Sequence, residues 1–236
     1  MLSWVYGYHP VKEILAVKKY KVKKLFIKKS TLDKLNSELR IKFDFPVIIA
    51  DKEKFNSLFS DKVNHQSIAL QIEGQLFHNE SELLNKINNL NKIVILDQVT
   101  DVGNVGAIIR SMVAFNIKDL IITEHDSVSD FSVLAKASAG LVSRINLYKI
   151  TNLNNLINKF QKNNIWCVGL DGSAKADINQ LQKFDKLAIF LGNEHKGIRD
   201  LVKKNLDLLV KIPIADNAES LNVSNAAAIS FFVANK

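Results

Sequence analysis

The sequence predicts an α/β protein. It has a parallel-sheet domain over residues 92–236, preceded by a small α/β unit at 1–76, with residues 77–91 as a linker and helix between them. Three observations predict this. From residue 92 onward, short apolar runs alternate with segments of helical period. Those runs show little polar alternation, as strands buried on both faces of a parallel sheet do. The balance is globular: 236 residues, 47% hydrophobic and 24% charged, enough for one large domain or two small ones.

In the first unit, PVKEILAVKK (10–19) reads as a helix with Pro10 suited to a first turn. KLFI (24–27), VIIA (47–50) and SIALQI (67–72) read as strands, and KEKFNSLFSD (52–61) as a helix. The pattern lapses over residues 73–80, and SELLNKINNL (81–90) opens a helix. In the larger domain, strands are expected at 92–97, 119–123, 145–150, 165–171, 187–192 and 206–214. Helices are expected at 105–116, 131–139, 152–163, 198–205 and 221–235. Ligands of such sheets bind beyond the carboxyl ends of the strands.

The net charge of +8 is uneven. Residues 1–76 hold 14 Lys and Arg against 8 Asp and Glu, and seven lysines fall in KKYKVKKLFIKK (18–29). That asymmetry points to a polyanion or, more simply, to a solvated lysine face. No apolar run approaches the ~20 residues of a membrane span, and the first residues lack the layout of a secretory signal. The single Cys167 sits in an apolar context. A reducing, cytoplasmic setting is expected. His9, His65, His78, His125 and His195 are scattered without metal-ligand spacing, so no metal is expected.

Three loops after strands carry the polar residues. In DQVTDVGNVGAIIRSMVAF (97–115), Asn104 stands where a helix cap could be, Gly103 and Gly106 permit a bend, and Arg110 projects from an otherwise apolar helix. A charge there needs a partner or a polar ligand. A structural arginine bonding a nearby carboxylate is the plain alternative. The glycines also suggest a dinucleotide loop, with Glu124 near the ribose-binding offset, but the spacing is G-x-x-G rather than G-x-G-x-x-G. In FLGNEHKGI (190–198), Gly192 and Gly197 bracket Asn193 and Glu194; taken alone, a simple strand-to-helix turn capped by Asn193 and Glu194 is the readier account. In KIPIADNAESLNVSNAAAISFF (211–232), Ser220 is expected to begin a helix that carries Asn222 in its first turn. The residues alone lead to a cleft holding Asn104, Arg110, Glu194, Ser220 and Asn222.

Together these loops resemble the three motifs of the SpoU-type RNA ribose 2′-O-methyltransferases of the SPOUT superfamily. Asn104, Gly106 and Arg110 fit N-x-G-x-x-x-R, and Gly192, Glu194 and Gly197 fit G-x-E-x-x-G. Ile212, Pro213, Ser220, Leu221, Asn222, Val223, Ser224, Ala226 and Ala228 fit the third motif. Val102 stands where many members have proline, and a looser turn is expected there. YGYHPVKEIL and HQSIAL (65–70) are similar to the small RNA-binding domain of the branch that modifies ribosomal RNA.

The resemblance implies an α/β knot with a C-terminal trefoil, a known exception to unthreaded topology. It implies S-adenosyl-L-methionine as cofactor, held near Gly192, Ile212 and Leu221, and a homodimer with its site near the interface. The implied reaction is methyl transfer to a ribose 2′-hydroxyl, most closely on a guanosine of large-subunit (23S) rRNA, with tRNA as the alternative substrate. Arg110 would hold the flanking phosphate and stabilise the alkoxide. Asn104 would orient Arg110 or the ribose, Glu194 would anchor Arg110 or the loop, and Ser220 and Asn222 would position cofactor or nucleotide. A dinucleotide enzyme of Rossmann type is the rival from another class.

Overall fold

The computed structural model describes residues 2–59, 65–128 and 130–236. The chain divides into two compact units, Met1–Leu76 with Asp130–Arg144, and Phe77–Ser129 with Ile145–Lys236.

The first unit starts with β1 (Leu2–Tyr6), α1 (Tyr8–Val17), β2 (Lys21–Ile27), α2 (Lys29–Leu39), β3 (Val47–Ile49), α3 (Lys52–Leu58) and β4 (Ile68–Glu73). Its sheet order is β1-β4-β2-β3, with β4 antiparallel to both neighbours and β2 parallel to β3. The strands β2, β3 and β4 and the helix α1 lie within one to three residues of expectation. The last residues of the expected 52–61 helix lie outside the described residues. Sequence reading missed β1 and α2. Leu35 is the only buried residue of α2, so the helix has almost no apolar stripe to detect. Val5, Leu25, Ile27 and Leu70 alternate with Trp4, Tyr6, Phe26 and Ala69 on the opposite face, where Phe55 and Phe59 close a second cluster.

In the second unit, α4 (Glu80–Leu84) is followed by β5 (Lys92–Asp97), α5 (Val102–Ala114) and β6 (Asp119–Thr123). The next helix, α6 (Phe131–Ala137), groups with the first unit. There Phe131 meets Tyr20 edge-on at 5.6 Å, and Arg144 pairs with Glu13. The second unit resumes with β7 (Asn146–Ile150), α7 (Leu153–Lys162), β8 (Trp166–Leu170), the short β9 (Ala176–Asp177), β10 (Leu187–Gly192), α8 (Asp200–Lys203), β11 (Leu208–Lys211) and α9 (Val223–Ala234).

Among the described residues these strands form one sheet, ordered β7-β6-β5-β10-β8-β11-β9, with every recorded pairing parallel. Both faces are covered, as the unbroken apolar runs required: Ile93, Val94 and Ile95 are all fully buried, as are Ala188, Ile189 and Phe190. His78, in the segment expected to be a linker, extends the sheet edge. Its N–H donates to the Leu147 carbonyl at 2.8 Å, and its carbonyl accepts from Lys149 at 2.9 Å.

Candidate active site

The site is built where three strands end. β5 and β10 are neighbours, with Asp97 opposite Gly192 in the register, and β11 lies beyond β8. The loops that follow them therefore open on one edge of the sheet.

The first loop is shorter than expected because its helix starts earlier. Asp101 caps α5 by accepting from the Asn104 N–H at 2.7 Å. Val102 occupies the first helical position, so the expected looser turn does not form. Proline would suit that position, but the Asp101 cap sets the start without it. Asn104 is thus not the cap; it lies in the first turn, facing the cleft. Gly103 and Gly106 belong to the helix and form no glycine loop. Glu124, the candidate ribose acid, is hydrogen-bonded by the Thr151 hydroxyl at 2.5 Å. The dinucleotide reading thereby loses its glycine loop.

The second loop is a closed turn. The N–H of Asn193 donates to the Gly197 carbonyl at 3.1 Å, and the N–H of Gly197 returns to Asn193 at 2.7 Å. Asn193 Oδ1 accepts from the His195 N–H at 3.0 Å, and Asn193 Nδ2 donates to the Gln98 carbonyl at 3.0 Å. Gly197 takes φ +66°, and the position of a Cβ at Gly192 would lie 2.1 Å from the Gly197 carbonyl carbon. Both glycines are therefore demanded by the turn rather than merely allowed in it. In the third loop the helix starts later than expected. Asn222 is the cap of α9, its Oδ1 accepting from the Ser224 N–H at 2.8 Å and the Ser224 hydroxyl at 2.6 Å. Ser220 stays in the exposed loop before it.

One residue from each loop closes a triangle. Asn104 Nδ2 donates to Glu194 Oε1. Asn222 Nδ2 donates to Asn104 Oδ1 at 2.9 Å and to Glu194 Oε1 at 3.0 Å. A carboxylate accepting from two carboxamides fixes the orientation of both amides. Beside the triangle lies a crevice whose walls include Leu170, Gly192, Ile212, Ser220, Leu221 and Ala226. All three residues expected at a cofactor site line it. Its rim exposes two aliphatic side chains, Ile214 and Leu221, 39% and 36% exposed, beside polar Glu219 and Ser220.

These features fit S-adenosyl-L-methionine. The exposed aliphatic side chains Ile214 and Leu221 suit an adenine face. This cofactor carries no phosphate, so the site needs no phosphate cradle.

Arg110 is not brought to this cluster. It lies on α5 two turns beyond Asn104, exposed, with no hydrogen bond or ion pair to any described residue. The structural alternative, an arginine satisfied by a neighbouring carboxylate, is thereby excluded within the described chain.

Two charged pairs that brace the site escaped sequence reading. Asp97, fully buried, accepts from the Arg199 N–H at 2.9 Å and from its Nε at 2.8 Å. This ties the end of β5 to the start of α8. Asp171, on the crevice wall, is held by Lys203 at 2.5 Å and by the Ser173 hydroxyl at 2.6 Å. Burial opposes its charge, but Lys203 and Ser173 prevail and keep its carboxyl below the usual range. A signal for Asp97 was present in the sequence, since a carboxylate closing an otherwise apolar strand must find a partner. Among the described residues no group of His, Cys, Asp or Glu could hold a metal ion, and no helix is long and apolar enough to cross a membrane.

Known proteins place this geometry. A model of the SpoU rRNA Methylase family matches residues 91–232, and one described as RNA 2′-O ribose methyltransferase substrate binding matches residues 4–77. The 23S rRNA (guanosine-2′-O-)-methyltransferase RlmB of Coxiella burnetii is 31% identical, over 97% of this chain and 93% of the relative. That of Escherichia coli K12 is also 31% identical, over 99% and 98%. In fold, the chain is similar to the SpoU methyltransferase AviRb of Streptomyces viridochromogenes, solved in complex with AdoMet, at a TM-score of 0.80 and 22% identity, covering 99% of this chain and 89% of that one. With a family match over residues 91–232 and relatives aligned along nearly their whole length, this chain belongs to the SpoU rRNA methylase family.

Proposed function

We propose that the protein methylates a ribose 2′-hydroxyl of RNA from S-adenosyl-L-methionine, and that its target is a guanosine of large-subunit ribosomal RNA, in the bacterial cytoplasm. The observation that carries this is the Asn104–Glu194–Asn222 triangle beside the Gly192–Ile212–Leu221 crevice. The full-length similarity to enzymes named for 23S rRNA guanosine favours that substrate over tRNA.

When bound, the cofactor supplies an electrophilic methyl group on sulfonium. The chain's own residues do the rest. The crevice walls seat the adenine and methionine parts. The triangle holds Asn104 and Asn222 rigid, so their carboxamides orient the ribose for in-line attack, where positioning supplies much of the rate. Ser220, at the crevice mouth, positions cofactor or nucleotide. A guanidinium stays protonated, so Arg110 acts by charge. It grips the phosphate flanking the target and stabilises the developing oxyanion. The hydroxyl proton leaves to that phosphate or to water.

Arg110 does this across a homodimer. Its lack of any partner within the described chain supports the reading. So does the uncovered apolar surface of α9, where Phe232 is 51% and Ile229 36% exposed; α9 packs on α5, the helix that carries Arg110. The residues after β10 and β11 are the segments that would form a trefoil knot, since β11 lies beyond β8 and α9 returns to α5. Residues 1–76 serve as the RNA-binding domain, 77–91 as connector and 92–236 as methyltransferase domain, of which 130–144 packs in the first unit.

The test is methyl transfer from labelled cofactor to separately purified 23S rRNA, 16S rRNA and tRNA, with mapping of the 2′-O-methyl site. Transfer to a single guanosine of 23S rRNA is expected. Transfer to tRNA alone would overturn the substrate assignment, and cofactor binding without transfer to any RNA would overturn the activity.

A further inference from the structure

Two stretches of the first unit, YGYH and HQS, play no part in the site described above. They meet at one nook. β1 hands over to α1 at Gly7, and β2 hands over to α2 at Lys28. The turn that feeds β4 runs between them, because β4 lies between β1 and β2 in the sheet. The Lys28 N–H donates to the Ser67 carbonyl at 3.0 Å, and the Tyr8 N–H donates to Gln66 Oε1 at 3.0 Å. The turn is thereby clamped at both helix starts.

The nook is lined by Tyr8, His9, Ser30, Thr31, Lys34 and Gln66. No acidic residue lines it. The Lys34 ammonium stands 4.5 Å from the centre of the Tyr8 ring. Its nearest carboxylate, Glu38, is 4.0 Å away and already bound by Lys12 at 2.5 Å. The hydroxyls of Ser30 and Thr31, the imidazole of His9 and Gln66 Nε2 hydrogen-bond to no described residue. One small concavity therefore gathers a cation, whose only carboxylate partner among the described residues is Glu38 at 4.0 Å, and four further groups able to donate hydrogen bonds that no described residue accepts. A ligand with several anionic oxygens is what such a surface lacks.

We propose that this nook seats a backbone phosphate of the RNA substrate. The inference rests on the reading of the chain as an RNA methyltransferase and adds a recognition point in the first unit. The first unit's positive surplus then acts in two ways. The dispersed lysines attract RNA without register, whereas the nook fixes one phosphate and with it the orientation of the unit on its target.

The test uses the full chain and a transcript of large-subunit rRNA, with binding measured over a salt series. Thr31→Glu sets a carboxylate in the first turn of α2. There it favours the helix, so a loss of binding is not a folding defect. It is expected to weaken RNA binding about tenfold by repelling the phosphate. Lys34→Gln should weaken binding several-fold and reduce the slope of log K against log salt by about one. The control Lys54→Gln, on exposed α3, should change affinity less than about twofold.

RNA binding by Thr31→Glu equal to the unaltered protein would overturn the proposal. Equal losses from Lys34→Gln and Lys54→Gln would do so too, since they would mean diffuse attraction. Failure of the methyltransferase reading shows elsewhere. In that case the unaltered protein binds no S-adenosyl-L-methionine in calorimetry and transfers no methyl group. Failure of the nook leaves both intact.

Discussion

Replacing Gly192 by alanine tests the site at its tightest point. The added Cβ would lie 2.1 Å from both the carbonyl carbon of Gly197 and the nitrogen of Ile198, and 2.4 Å from the Gly197 oxygen. All three are backbone atoms, so no rotamer relieves the overlap. Ordinary carbon contacts begin near 3.5 Å, so the 193–197 turn must retreat by about 1.4 Å. That turn carries Glu194, whose Oε1 accepts from Asn222 at 3.0 Å and also from Asn104. A retreat of that size stretches these contacts past 4 Å, beyond hydrogen bonding. Overpacking of this kind costs about 1–3 kcal/mol of stability. A misplacement of about 1 Å at a site that works by positioning costs about a hundredfold in rate. The crevice wall moves as well, so cofactor affinity should fall at least tenfold. The assays are thermal melting, calorimetric titration with S-adenosyl-L-methionine, and methyl transfer to rRNA. A Gly192→Ala protein that keeps transfer within threefold and binds cofactor unchanged would refute the claim that this backbone approach shapes the site.

Arg110→Ala is expected to lower methyl transfer by about 10²–10³ while cofactor affinity stays within twofold. Mixed with Gly192→Ala and allowed to exchange subunits, it should recover about one quarter of the activity, since half the dimers then carry one intact composite site. No recovery would place Arg110 outside a shared site. Asp97→Asn should lower the thermal midpoint by roughly 5–10 °C, because removing the charge facing Arg199 costs about 2–3 kcal/mol, less than for a wholly buried pair since Arg199 is 44% exposed on its side chain. An unchanged midpoint would show that the pair braces nothing. Asp171 has its folded-state pKa lowered, so its pairing with Lys203 stabilises fully above the unfolded value of about 4 and is lost as pH falls through the lower folded value. Denaturant titrations should therefore show the unaltered protein losing more stability than Asp171→Asn as pH drops below about 4; parallel pH curves for the two would count against the pair.

Much of the second unit was legible because its strands are buried on both faces. Runs such as KIVILD and LAIFLG have no polar alternation and admit few readings, and they formed as β5 and β10. The motif residues Asn104, Glu194 and Asn222 could be named from spacing, since each follows a strand end. Helix starts were less legible. Asp101 and Asn222 took the caps expected of Asn104 and Ser220, because a cap is decided by which oxygen reaches a free N–H, and neighbouring polar residues look alike in one dimension. The first unit lost α2 for want of an apolar stripe, and α6 packs in the first unit although it follows strands of the second.

The sequence alone determined the composition of the layers, the parallel sheet and the identity of the polar residues at three strand ends, since these depend on local hydrophobic period and on motif spacing. Tertiary structure decided what those residues touch. The Asn104–Glu194–Asn222 bonds join positions 90 and 118 residues apart, and the Asp97–Arg199 grip spans 102. Arg110 was left without a partner among the described residues. Such contacts depend on strand order and loop approach, which no local pattern encodes, and a hydrogen bond forms or fails over less than an ångström.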